Sequence, residues 1–518
     1  MDARGSGRRR IGWCGRDGLR FGVFMKRTLF LGALLGLISG SVWGQQPHVL
    51  LICVDDLKPV LGCYGDPLAK TPHLDRLAAR GLRFDAAYCN QAVCAPSRNT
   101  LMLGARSTTL GIYNLGTNFR RAWPAAVTLP QYFARHGWRP ERVGKIFHTG
   151  HGNHDDPASW TATFALDQVV EYLRPENSAD GRLTREEAYF TNQRLGENHR
   201  LPRGAAWEIV AAPDNAYADG RIADEGIRRL RAMAERPPQP LFLALGFVKP
   251  HLPFTAPKQY WDLYDREAFS PAPHQTPPVG APPYAGKTLM ELNQYEPIPQ
   301  QPPVSAAVQR TLIHGYYACV SYVDAQIGRV LAELDRLNLA TNTLIVVWGD
   351  HGWHLGDHGM WTKHTNYEQA NRIPLIIVAP GVTRPGTVTR QLAETVDIFP
   401  TLVELAGLPK PDLPQPLDGV SLVPVLRDPA ARVRDHAYHV FPRQRAGQSV
   451  MGRAIRTERY RLVEWKQPGQ PGDTADLELY DYQTDPGETK NLAGDQPGVV
   501  AQLRAILARH PEAKRPIN

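Results

Sequence analysis

The apolar positions of this chain fall into long unbroken runs that end abruptly at polar residues. His48-Val49-Leu50-Leu51-Ile52-Cys53-Val54 is such a run of strand length, and it stops at Asp55-Asp56. Leu241 to Phe247, Leu344 to Trp348 and Pro374 to Val378 are three more. Runs without polar alternation predict strands covered on both faces, as in the centre of a parallel sheet. Between them, Leu312, Tyr316, Cys319, Val320, Val323, Ile327, Val330, Leu331 and Leu334 recur at three- and four-residue steps, which predicts a helix over Thr311 to Leu337 with one buried face. Strands alternating with helices predict an α/β fold, a large doubly wound and mostly parallel sheet flanked by helices.

Near residue 430 the pattern changes to short alternating segments, Arg453 to Thr457, Tyr460 to Trp465 and Leu477 to Asp481, followed by a helical stretch from Pro497 to Arg509. This predicts a smaller C-terminal antiparallel sheet plus helix. The expected organisation is a leader over 1–44, a large α/β domain over 45–430 and a small domain over 431–518. Two polar or Pro-rich stretches, 172–206 and 265–310, carry no readable period and are candidate recognition loops.

The placement of polar residues makes this pattern informative. Asp55-Asp56, His251 and Asp350-His351 each follow an apolar run, and Lys145 to His148 follow a weaker one. Ligands of open α/β sheets bind beyond the carboxyl ends of the strands, so these segments are expected at one rim.

Composition sharpens the picture in two places. The formal charge of +8 comes mostly from the first 44 residues, which hold eight Lys/Arg and two Asp, so strong attraction to nucleic acid is not indicated. Within that leader, Lys26-Arg27 precedes the apolar run Leu29 to Ile38 and the small residues before Gln45, the layout of a secretory signal, with Met25 an alternative start. The expected location is secreted or periplasmic, without a stable membrane partner. Beyond the leader, Cys53, Cys63, Cys89, Cys94 and Cys319 show no zinc spacing and are too few to scaffold a large domain.

Three carboxylates at one rim, Asp55, Asp56 and Asp350, repel one another unless a cation neutralises them, and oxygen ligands suit calcium or magnesium. His354, His358 and His364 lie in the same loop as His351 and are read as solvated histidines rather than a zinc site. Val93-Cys94-Ala95-Pro96-Ser97-Arg98-Asn99-Thr100-Leu101 reads as a loop entering a helix, where Ser97 and Thr100 can bond the free amides of the first turn. A thiol there, beside Arg98, is expected to lose its proton easily, so Cys94 is either a reactive or modified cysteine or a buried structural one.

Cys94-Ala95-Pro96-Ser97-Arg98 resembles the C-x-P-S-R signature of type I sulfatases, in which a maturation enzyme oxidises the cysteine to formylglycine. Val54-Asp55-Asp56, Val143 to His148, Lys249 to Phe254 and Gly349 to Trp353 look like the other blocks of that family, in the family's order, from about His48 to about Asn491. The blocks are most similar to the iduronate-2-sulfatase branch. The resemblance implies a sulfuric ester hydrolase of the alkaline-phosphatase superfamily acting on a sulfated glycan. It implies a calcium site formed by Asp55, Asp56, Asp350, His351 and residue 94. It also implies a hydrated formylglycine at 94 as nucleophile, with Arg98, Lys145 and Lys363 holding sulfate, His251 protonating the leaving alcohol and His148 assisting release. A phosphonate or phosphodiester hydrolase and a non-catalytic sulfoglycan-binding relative are the alternatives. Where the iduronate enzymes carry Arg directly after the glycine matching Gly104, this chain has Ala105 and then Arg106.

Overall fold

Each apolar run forms a strand, and the sheet they build is buried on both faces. The computed structural model describes residues 46–166, 172–235, 239–287 and 289–517, so the expected leader lies outside the described residues. The strands of the large sheet are β1 (His48–Val54), β2 (Leu82–Tyr88), β3 (Arg139–Gly144), β4 (Ala162–Phe164), β5 (Leu241–Phe247), β6 (Thr343–Gly349), β7 (Arg372–Val378), β8 (Thr387–Thr389) and β9 (Ala393–Glu394). Their order is β8-β2-β7-β6-β1-β5-β3-β4, with β9 also on β2. Neighbours run parallel except at β7, which is antiparallel to both β6 and β2.

The expectation of a parallel strand over Pro374 to Val378 is therefore corrected. A parallel strand needs a crossover back to the starting edge. After β6 the chain instead makes a loop over 350–371, with a 3-10 turn at Asp357–Gly359 and a short turn of helix at Glu368–Asn371, and re-enters from the same rim.

Period-two alternation is hidden inside the apolar runs. Leu50, Ile52 and Val54 join Leu243, Leu245, Ile345 and Val347 in one core, while Val49, Leu51 and Cys53 join Phe242, Ala244, Leu344, Val346 and Trp348 in the other. The first core is closed by the long helix Ala306–Arg336, whose Leu312, Tyr316, Cys319, Val320, Val323, Ile327, Val330, Leu331 and Leu334 all lie in it. That helix starts earlier than its apolar period suggests because Ser305 caps it, accepting from the Val308 N–H. The second core is closed by helix Cys94–Leu103 through Leu101, Met102 and Leu103. Burying each such aliphatic side chain stabilises the fold by about 1.5–3 kcal/mol.

The second sheet is a simple antiparallel one of β10 (Ala437–Arg445), β11 (Gln448–Arg456), β12 (Tyr460–Lys466) and β13 (Asp476–Asp481). Its first strand escapes the sequence pattern because His439, Pro442 and Arg443 interrupt the apolar alternation. One face packs on helix Pro497–Leu507 through Val500, Leu503 and Leu507. The other, with Val463, Trp465 and Tyr480, covers Met360 and Tyr367 of the loop between β6 and β7 and Ala285 of the Pro-rich stretch. Glu368 in that loop is paired to Arg456 at 3.1 Å and Arg461 at 2.7 Å, so the small sheet clamps the loop that carries several candidate residues.

Candidate active site

The four strands that end at the candidate residues are consecutive neighbours, β3-β5-β1-β6, all parallel. Their ends are level: Val54 is paired with Gly349 and Phe247, and Gly144 with Gly246. Asp55, Asp56, Lys145, Asp350 and His351 therefore leave the sheet at one rim, with His251 four residues beyond β5. Two glycines permit this crowding. Gly144 has φ 75° as the chain turns out of β3, and a Cβ on Gly246 would lie 2.0 Å from the Lys145 carbonyl oxygen.

Cys94 opens its helix and is 2% exposed. Its Sγ lies 3.3 Å from His351 Nε2 and 4.0 Å from Asp56 Oδ1. Two expectations are corrected here. Ser97 and Thr100 do not cap the first turn; the Ser97 hydroxyl donates to the Asp350 carbonyl at 2.5 Å and that of Thr100 to the Pro96 carbonyl at 3.0 Å. Nor does the thiol lose its proton easily. Burial pushes it well above the usual range, Lys363 and Lys145 oppose that, and the charges of Asp55 and Asp350 add to it. The dry, acidic surroundings outweigh the helix dipole.

Arg98 is wholly buried and acts as a clamp beneath the carboxylates. Its Nε donates to Asp350 Oδ2 at 3.0 Å, Nη2 to Asp55 Oδ1 at 2.7 Å, and Nη1 to the carbonyls of Lys145 and Ile146. Every guanidinium nitrogen is thus bonded within the protein. Burial would raise Asp55, but Lys145 and Arg98 hold it well below the carboxylate range, whereas burial pushes Asp350 up to about 6 with the Asp55 charge adding to it. An Arg98→Lys enzyme keeps the charge and loses the fork. Its affinity for a divalent cation is expected to fall about 10- to 100-fold, as when an outer partner of a metal ligand is lost, with kcat reduced and KM little changed at saturating metal. A raised KM with intact metal affinity, measured by titration calorimetry and kinetics, would instead mean that Arg98 holds substrate.

The other cations face the same carboxylates from above. Lys145 Nζ pairs with Asp55, and Lys363 Nζ with Asp56 Oδ2 at 3.0 Å. Lys363 also lies over the Trp353 ring, and Lys145 over Phe190, each at 5.1 Å. His351 bonds the Gly352 carbonyl through Nδ1 at 3.0 Å, which turns Nε2 toward Asp56 at 3.4 Å and Asp350 at 3.6 Å. His251 places Nδ1 2.6 Å from the Leu252 carbonyl and Nε2 2.9 Å from Glu291 Oε1, so both ring nitrogens face acceptors. His148 is buried beside this group but bonds His151 rather than a carboxylate.

Glu291 escaped the sequence reading. It comes from the Pro-rich stretch, and its second oxygen lies 2.6 Å from Lys363 Nζ. Phe190, against His251 at 5.3 Å, comes from the other unreadable stretch. A lone acid or aromatic in an irregular segment carries no periodicity that marks it. The histidine loop is also corrected: His354 and His358 are 0% and 3% exposed, and burial lowers His354 to about 3. They are packed, not solvated, because the second sheet covers this loop. Arg106 is tied to Glu394 and Asp418, well occupied within the fold.

Among the described residues, two overlapping groups could hold a metal ion: Asp55, Asp56, Cys94 and His251, and Asp56, Cys94, Asp350 and His351, with ligand atoms in each within 4.8 Å of one another. Carboxylate-rich donor sets fit a hard divalent cation.

Comparison with known proteins gives this geometry a lineage. Residues 47–408 match the model of the sulfatase family. The chain belongs to the sulfatase family. Residues 356–512 also match the C-terminal model of N-sulphoglucosamine sulphohydrolase. Iduronate 2-sulfatase of Mus musculus is 32% identical, covering 92% of this chain and 97% of that protein, and the Homo sapiens enzyme is 32% identical over 91% and 96%. A sulfatase of Formosa agariphila is 29% identical over 90% of this chain and 87% of its own. In fold, the chain is similar to BT4656, solved with its substrate D-glucosamine-2-N,6-O-disulfate (TM-score 0.69, 21% identity, 90% of this chain and 97% of that one). It is also similar in fold to the phosphonate monoester hydrolase of Agrobacterium radiobacter (TM-score 0.68, 23% identity, 90% and 96%). The sulfatase is accordingly an enzyme that hydrolyses sulfuric esters.

Proposed function

We propose that this sulfatase removes sulfate from a sulfated glycan, with Cys94 matured to formylglycine as the nucleophile. The observation that carries the reading is the position of residue 94, enclosed between carboxylates able to hold a cation and lysines able to hold an anion. Asp55, Asp56, Asp350, His351 and residue 94 would hold calcium, or magnesium, which would supply positive charge against the reacting oxygens. The hydrated aldehyde would supply a hydroxyl for attack and a second hydroxyl for release of sulfate.

The chain's own residues do the rest. Asp55, Asp56, Asp350 and Glu291 face Arg98, Lys145 and Lys363 at the rim. When a divalent cation takes up the carboxylate charge, Lys145 and Lys363 are left to pair with the oxygens of a sulfate ester and oppose its growing charge. Arg98 keeps Asp55 and Asp350 aimed. His251, whose ring nitrogens both face acceptors, gives a proton to the departing alcohol, and His148 takes one from the second hydroxyl.

The relatives that act on iduronate 2-sulfate support a uronate 2-sulfate of heparan, dermatan or an algal polysaccharide as substrate. Sulfate release from a panel of defined sulfated oligosaccharides, with a phosphodiester and a phosphonate monoester in the same assay, tests this. Preference for the phosphoryl compounds would overturn it, and binding without turnover by matured protein would point to a sulfoglycan-binding role. We also propose secretion or export to a periplasm, and a maturation enzyme as partner; cell fractionation that leaves the protein in the cytoplasm would contradict the first.

His251→Ala is expected to lose about 10²- to 10⁴-fold in kcat on esters of sugar alcohols, the usual contribution of a general acid. On an aryl sulfate, whose leaving group needs little protonation, the loss should be far smaller. Equal losses on both substrates would mean that His251 binds sulfate instead.

A further inference from the structure

Hydrolysis of a sulfate monoester yields an alcohol, a sulfate dianion and one proton. In the reading above, on which this inference rests, the hydrate gives up two hydroxyl protons, one is matched by the proton His251 gives to the alcohol, and the other ends on His148. His148 is 3% exposed, so that proton needs a way out.

The structure supplies a neighbour for it. His148 Nδ1 is buried and bonded by no group of the described protein, so it is the ring nitrogen open to take a proton. Its Nε2 lies 3.2 Å from Nδ1 of His151, with the ring centroids 5.2 Å apart. His151 is partly exposed, so it spans the distance from a sealed histidine to water. Its backbone has φ 56°, a conformation unfavourable for a non-glycine residue that persists only where the surroundings impose it. They do so here: its N–H donates to the Tyr189 carbonyl at 2.7 Å, its ring stacks on Tyr189 at 4.8 Å and 10°, and Phe190 stands edge-on at 5.6 Å.

We infer that His151 relays the product proton from His148 to solvent. As the second hydroxyl gives its proton to His148 Nδ1, the Nε2 proton of His148 passes to His151 Nδ1, and the Nε2 proton of His151 passes to water or a buffer base. Only O–H and N–H bonds change, one proton enters and one leaves, and each imidazole ends as its other tautomer, to be reset between turnovers by the water that takes the place of departing products. The charged groups around the pair suit passage rather than storage. Burial and then Lys145 hold His148 well below its usual range; burial, with Lys145, Lys363 and His251, holds His151 at about 4 against the pull of Glu291. Both rings are neutral at neutral pH and can accept. His151 does not touch the reacting atoms; it acts through His148.

The test uses matured full-length enzyme and p-nitrophenyl sulfate, with His151→Gln, which keeps a bonding partner for His148, and His151→Phe, which keeps the stacking on Tyr189. In dilute non-imidazole buffer both variants should lose about tenfold or more in kcat, as when an acid–base group is removed, with KM unchanged. Added imidazole should restore most of that loss and leave the wild type unaffected. Should His151→Phe fail to fold, His151→Gln decides alone. Wild-type kcat in the variants, or a loss that imidazole does not relieve, overturns the relay. Absence of sulfate release from the matured wild type would instead count against the sulfatase chemistry on which the relay rests.

Discussion

Cys94→Ser is expected to stop after at most one turnover and to accumulate as a sulfated protein. The serine hydroxyl sits where the thiol lies, among Asp56, His351 and the paired lysines, and can attack sulfur to displace the alcohol. The product is a serine sulfate ester with no second hydroxyl on the same carbon, so the elimination that expels sulfate from the hydrate is closed to it. Steady-state kcat should fall by at least about 10⁴-fold, in line with losses from removing nucleophiles elsewhere. Intact-protein mass spectrometry after mixing with an aryl sulfate should show one added sulfate. Cys94→Ala should show neither sulfation nor turnover. A serine variant that turns over steadily would mean that residue 94 needs no second hydroxyl.

Removal of the divalent cation is expected to abolish turnover while leaving the protein folded. The cluster has its own compensation: Lys145 on Asp55, Lys363 on Asp56 and Arg98 on Asp55 and Asp350 hold the carboxylates when no cation is bound. The chelated enzyme should therefore show a cooperative thermal transition, displaced downward. An ion at a hundredfold excess over its dissociation constant stabilises the native state by about 2.7 kcal/mol. Calcium should restore Tm and activity together. Full activity after chelation, in protein shown by elemental analysis to be metal-free, would remove the cation from the account.

The four-strand rim was legible because burial on both faces writes itself into sequence as unbroken apolar runs, and because Asp55, Asp56, Lys145 and Asp350 stand at or next to strand ends. The direction of β7 was not legible. Its residues are as apolar as those of β6, and only the loop over 350–371, which returns to the same rim, sets its sense. The ionisation of Cys94 was misjudged for a related reason. The helix start is visible in sequence, but the degree of burial that overrides it depends on how helix and sheet meet. The bonds of Arg98 to Asp55 and Asp350 were not legible either, since a sequence shows the fork but not which acceptors it finds first. Glu291 and His151 reach the site from irregular segments, where no spacing rule operates.

The most direct measurement of the central claim is sulfate release as a function of maturation. Preparations made with increasing co-expression of a maturation enzyme would be assayed for the fraction of residue 94 present as formylglycine, by peptide mass spectrometry, and for kcat on one sulfate ester at saturating calcium. Activity is expected to rise in proportion to that fraction, on a line through the origin. Full steady-state turnover from protein whose residue 94 is wholly unmodified cysteine would contradict it.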